Sequence, residues 1–177
     1  LRLNGYLITK TMRKSFLFLI GLVLLSCQKD HWNDPTVKQF VTMLKAGNYD
    51  SSFLPDFQPG DIETLLYYAK DFQEIENFPV NPISSFMPPE FRLGECLMWT
   101  IESIRLHSDE TNAFRRFPSL VPQLIIPGGT MAPQIASVDD LNRAYNQYLE
   151  WWTSNKDKNF DDFKSINPLK DTVLIWR

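Results

Sequence analysis

Proline places the tightest limits on what this chain can fold into. Four prolines fall between residues 78 and 89, and more punctuate residues 117–133. Each one lacks a backbone donor and restricts the residue before it, so neither a long helix nor a central strand fits in these stretches. Both are expected to be ordered, extended loops, the second with at most one short strand. Regular structure is left to the segments between them.

Helical periodicity runs through those segments. Asp34 followed by Pro35 reads as an N-cap with proline at the first helical position, and Val37, Phe40, Val41 and Leu44 then recur on one face until Gly47. This predicts a helix over about 35–46. Pro59 opens a second helix with Ile62, Leu65, Leu66 and Ala69 on one side. From Arg92 to Leu106, Leu93, Cys96, Leu97, Thr100, Ile101 and Ile104 share a face, with Glu95, Glu102 and Arg105 elsewhere, which predicts the central core helix. Ser137 with Asp140 resembles a capping box, and Leu141, Ala144, Tyr145, Tyr148, Trp151 and Trp152 extend a fourth amphipathic helix to about Ser154. The tail carries a short helical segment at 160–164 and a β-like run at 172–176. The expected fold class is therefore mainly α: helical hairpins around one core, long Pro-rich loops and a short C-terminal strand.

The first residues read differently. Arg13 and Lys14 follow Met12 and precede a ten-residue apolar run, 16–25. A membrane-spanning helix needs about 20 such residues, so this run is a cleaved signal rather than a permanent span. It ends Leu24, Leu25, Ser26, Cys27, which resembles the lipobox of bacterial lipoproteins. The resemblance implies cleavage between Ser26 and Cys27 and acylation of the Cys27 sulfur with two or three fatty chains. Residues 1–11 precede a methionine fit to initiate and are expected to be an over-called start. Residues 27–34 form a polar tether, and Lys29 with Asp30 looks like the charged signal for surface display in Bacteroides-type lipoproteins. The expected location is the outer membrane, lipid-anchored and facing the cell surface. Residues 35–177 are expected to form a single domain similar to small helical lipoproteins of those bacteria, a group from which no catalytic residue carries over.

Charge narrows the partners. Cleavage removes Arg2, Lys10, Arg13 and Lys14 and no acid from a chain with 18 basic and 21 acidic residues, leaving a formal charge of −7. Nucleic acid is not an expected partner, because phosphate binding draws on clustered Lys and Arg. With Cys27 lipidated, Cys96 is the only free thiol and no internal disulfide forms.

The candidate chemistries are few. Glu95 and Glu102 lie seven residues apart on nearly one helix face, about 10.5 Å along the axis. They read either as an acid pair for glycoside hydrolysis, where inverting enzymes hold carboxylates about 6.5–9.5 Å apart, or as structural partners of Arg92 and Arg105. His31 lies in the tether and His107 at a helix end. Cys96 reads as a small buried hydrophobe. No metal site is expected from two histidines and one thiol; Asp157, Asp161 and Asp162 leave calcium open without EF-hand spacing. Gly128 and Gly129 lack the lysine of a phosphate loop, and no cofactor is expected. Tyr145, Tyr148, Trp151 and Trp152 are the candidate binding surface, as a glycan-stacking platform, unless the tail with Trp176 covers them. The expected function is a non-enzymatic binding or assembly module for a protein or glycan partner; the alternatives are a glycan hydrolase using Glu95 and Glu102, and a structural envelope lipoprotein.

Overall fold

Thr36, rather than Asp34, starts the first helix. In the computed structural model, which describes residues 35–106, 117–129 and 132–177, the Thr36 hydroxyl accepts from the Gln39 N–H at 3.3 Å and the Gln39 side chain accepts from the Thr36 N–H at 2.9 Å. This reciprocal box satisfies two donors that a proline start leaves open. Asp34, Ser26, Cys27, the leader, the tether, His31 and His107 lie outside the described residues. Helix α1 (Val37–Lys45) ends where Gly47 turns to φ 66°. There the Gly47 and Asn48 N–H groups donate to the Leu44 and Met43 carbonyls, at 3.2 and 2.9 Å. That pairing is the Schellman closure, which glycine adopts without a Cβ penalty.

Pro59 opens a 3-10 turn (Pro59–Asp61) that leads into α2 (Ile62–Ala69), with the four expected residues buried. Strand β1 (Glu74–Ile75) then pairs antiparallel with β2 (Phe91–Arg92), closing the first proline loop at its base. Helix α3 (Leu93–Leu106) follows directly. Beyond residues 107–116 come β3 (Leu124–Ile126), β4 (Gln134–Ile135), α4 (Val138–Thr153), a 3-10 turn (Phe160–Asp162) and β5 (Ile175–Trp176). The last three strands form an antiparallel sheet in the order β4-β3-β5, with Ile125 opposite both Ile135 and Ile175.

The mainly α expectation is thereby corrected. The described residues hold four α-helices and five strands in two antiparallel sheets, a mixed α/β architecture. Strands of two or three residues are too short to display an alternating pattern, and their partners lie far apart in the sequence. Their pairing is a tertiary outcome.

Helix α3 departs from expectation in another way. Every residue from Leu93 to Arg105 is buried, charged residues included. Helices α2 and α4 pack against it, and both proline loops are rooted on its Trp99, so the helix has no free side. The Phe78 ring lies 6.0 Å from Trp99 and the Phe117 ring 5.6 Å, and the indole N–H donates to Ser119 Oγ at 2.8 Å. Close approach at its start depends on Gly94. A Cβ there would run into the Ala69 carbonyl oxygen and come within 2.7 Å of the Phe72 ring.

Candidate functional site

Burying a charged helix demands partners for each charge. Glu102 and Arg105 supply one another: Arg105 Nε donates to Glu102 Oε1 at 3.0 Å and Nη2 to Oε2 at 2.7 Å. The Tyr148 hydroxyl, from α4, adds a bond to Glu102 Oε1 at 2.7 Å, and Trp176 Nε1, from β5, donates to the Tyr148 oxygen at 2.9 Å. Arg105 Nη1 reaches the Lys164 carbonyl at 2.7 Å. One charged pair thus ties α3 to α4, to the C-terminal strand and to the turn after α4. Burial raises the Tyr148 hydroxyl well above its ordinary pKa, and the Glu102 carboxylate pushes in the same direction. The phenol therefore stays a donor.

Glu95 is held by another element. Its Oε1 accepts the Leu124 N–H at 2.6 Å, which fastens α3 to the centre of the three-stranded sheet. Arg92 does not pair with it, but holds Glu90 at 2.5 Å and Glu74 at 3.5 Å. Burial pushes the Glu95 carboxyl up to about 7, against the lowering effects of the Leu124 N–H and the Arg92 charge. Such a carboxyl has the pKa of a general acid or base. Both oxygens of Glu102, its neighbour in the imagined dyad, are committed to Arg105 and Tyr148. Glu95 and Glu102 thus serve different structural contacts, and the pairing expected with Arg105 is the one formed.

The aromatic set on α4 is turned inward. Tyr148, Trp151 and Trp152 are buried and Tyr145 is half-buried. The Phe163 ring packs 5.3 Å from Trp151 and 6.2 Å from Trp152, while Trp176 covers Tyr148. The four side chains do not form a stacking platform, because the tail that follows α4 folds back over them. Trp151 Nε1 and Trp152 Nε1 are buried with no hydrogen-bond partner among the described residues. Cys96 is fully enclosed, and burial raises its thiol well above the usual range. Among the described residues no three His, Cys, Asp or Glu side chains converge as metal ligands. Asp157 and Asp162 are exposed, and Asp161 pairs with Lys164 at 2.6 Å.

The candidate surface lies elsewhere. Residues 78–89, 117–138 and 172–176 contain no Asp, Glu, Lys or Arg. The fold joins these runs: the Asn81 N–H donates to the Leu120 carbonyl at 3.1 Å, and the Arg177 carbonyl accepts from Leu120 and Val121 at 3.1 and 3.2 Å. Strand β3 lies between β4 and β5. Seven of the 12 large apolar residues exposed among the described residues fall here: Ile83, Met87, Leu120, Ile135, Val138, Val173 and Ile175. Ile83 and Met87, on the first loop, are 79% and 63% exposed. On the sheet, Leu124 and Trp176 point to the core, while Ile125 lies between the exposed Ile135 and Ile175 on the other side. Clustered exposed apolar surface without charge is the composition of an interface centre. The uncharged runs are visible in the sequence. They read only as loops there, since a missing charge does not reveal which apolar side chains face outward.

A family model described as Domain of unknown function (DUF4943) matches residues 31–177. Neither a curated protein nor a solved structure matches the chain.

Proposed function

The chain belongs to the DUF4943 family, and we propose that it is a non-enzymatic binding or assembly module, held at the outer membrane by lipid on Cys27 and facing outward. The observation that carries the binding role is the charge-free region bearing Ile83, Met87 and Leu120. Ordered loops longer than about 12–15 residues are uncommon in compact domains unless they carry function. The loop between β1 and β2 is of that length, and its base is clamped by the β1–β2 ladder and by Phe78 against Trp99. Rooted loops with exposed apolar tips present a preformed surface. Aliphatic and thioether side chains fit a protein partner better than a sugar, which favours stacking aromatics and paired polar groups.

Anchoring rests on the pattern from Met12 to Cys27. No helix among the described residues is long and apolar enough to cross a membrane. Two acyl chains, each methylene contributing about 0.8 kcal/mol, hold a protein far more firmly than one. Cys27→Ser should move the protein from the detergent phase to the aqueous phase, and unchanged partitioning would refute the anchor. Protease added to intact cells should digest the domain; protection would place it on the periplasmic side. For the binding role, a photo-reactive amino acid at position 87 in native cells should give a discrete protein adduct. The same amino acid at the exposed Asp157 is the control, and identical adducts from both positions would count against the proposed surface.

A further inference from the structure

Among the described residues one cation borders the charge-free region. The Arg177 guanidinium carbon lies 3.7 Å from the centroid of the Phe86 ring, in the first proline loop. Its backbone is pinned as well: the Arg177 N–H donates to the Gln123 carbonyl at 3.0 Å, and its carbonyl accepts from Leu120 and Val121. The cation is therefore held where the loop carrying Ile83 and Met87 meets the segment carrying Leu120. Arg92, Arg105 and Arg143 each hold a carboxylate. Among the described residues Arg177 alone of the arginines has none. Stacking engages the flat face of a guanidinium and leaves its in-plane donors clear of the ring, so that they can take a carboxylate through two parallel bonds.

Building on the docking surface proposed above, we infer that its occupant is a protein segment with apolar side chains and one carboxylate, the carboxylate meeting Arg177 while the apolar groups cover Ile83, Met87 and Leu120. A second copy of this chain fits less well. Its three uncharged runs carry no Asp or Glu to set against the guanidinium, which would lose water there without gaining a counter-charge. An anionic lipid surface fits less well too, because lipid recognition draws on clusters of Lys and Arg, whereas among the described residues a single arginine borders these runs, on an acidic chain.

The test uses the full chain, purified in detergent with its anchor. An array of apolar dodecapeptides, made in pairs that differ only in one Glu or Gln, is screened by fluorescence anisotropy. Among pairs that bind, the Glu member should bind about tenfold more tightly, the gain expected of one charge-assisted contact. Arg177→Gln should erase that difference, and Arg177→Lys should restore only part of it. Met87→Ser should weaken both members equally. Equal binding of Glu and Gln peptides, a preference that survives Arg177→Gln, or no peptide binding at all would overturn the inference. So would Arg177-dependent binding to phosphatidylglycerol vesicles in place of peptides. The adduct at position 87 in cells then shows separately whether the docking surface itself stands.

Discussion

The Tyr148 hydroxyl donates to Glu102 Oε1 at 2.7 Å, across the contact between α4 and α3, and so makes a tyrosine of the aromatic helix a partner of the buried Glu102–Arg105 pair. Breaking one side of such a pair leaves a charge with no compensation, at a cost of about 3–5 kcal/mol. Arg105→Met should therefore lower stability by that amount in urea denaturation. Glu102→Gln combined with Arg105→Met should recover part of the loss, because the amide oxygen still accepts from Tyr148 and no charge remains buried. A double variant no more stable than the single one would contradict this account of the hub.

Glu95 makes stability depend on pH in a direction opposite to the usual acid. Its folded pKa of about 7 lies above the ordinary 4.5. Between those values the folded chain holds a proton that the unfolded chain has released, so stability falls as pH rises and levels off above about 7. The span corresponds to on the order of 3 kcal/mol. Glu95→Gln keeps an oxygen for the Leu124 N–H and removes the ionisation. Urea midpoints from pH 4.5 to 8 should fall in the wild type relative to this variant, and the variant should be the more stable protein at pH 8. Parallel profiles would show that Glu95 ionises freely in the fold.

Gly94→Ala tests the junction of α2 and α3. The added methyl meets the backbone carbonyl of Ala69 as well as the Phe72 ring, and a carbonyl at a helix end cannot step aside without opening that turn. A loss of about 1–3 kcal/mol is expected, as for overpacking elsewhere. A thermal midpoint equal to that of the wild type would mean that the two helices separate easily.

Ile83 and Met87 face solvent, so replacing both by serine should change stability by no more than about 0.5 kcal/mol per site. The same double variant should lose the cellular adduct formed from a photo-reactive residue at the adjacent Phe86. A large stability loss would identify these side chains as part of the core.

Much of the helical framework was legible because it is written locally. Ile62, Leu65, Leu66 and Ala69 recur at helical spacing and are buried together. Ser137 and Asp140 cap α4 as their spacing predicts, with the hydroxyl accepting from the Asp140 N–H at 3.2 Å. The first cap was displaced from Asp34 to Thr36 because a reciprocal Thr–Gln box satisfies more donors than a proline start. The sheets were legible only in part: short strands fall within 117–133 and 172–176, where they were expected, but neither the other three strands nor any pairing could be read. A strand such as Gln134–Ile135 is defined by β3 beside it and carries no pattern of its own. For the same reason, neither the Leu124 bond to Glu95 nor the stacking of Arg177 on Phe86 could be read from spacing.

Sequence alone determined where helices could start and stop, since capping, periodicity and proline act over three or four residues. It also set which segments carry charge and which carry none. Only the tertiary structure decided that Trp151 and Trp152 turn inward under Phe163, that Glu102 belongs to Arg105 and Tyr148, and that three uncharged segments meet beside Arg177. Burial and pairing are properties of neighbours brought together by the fold, and an isolated stretch of chain does not contain them.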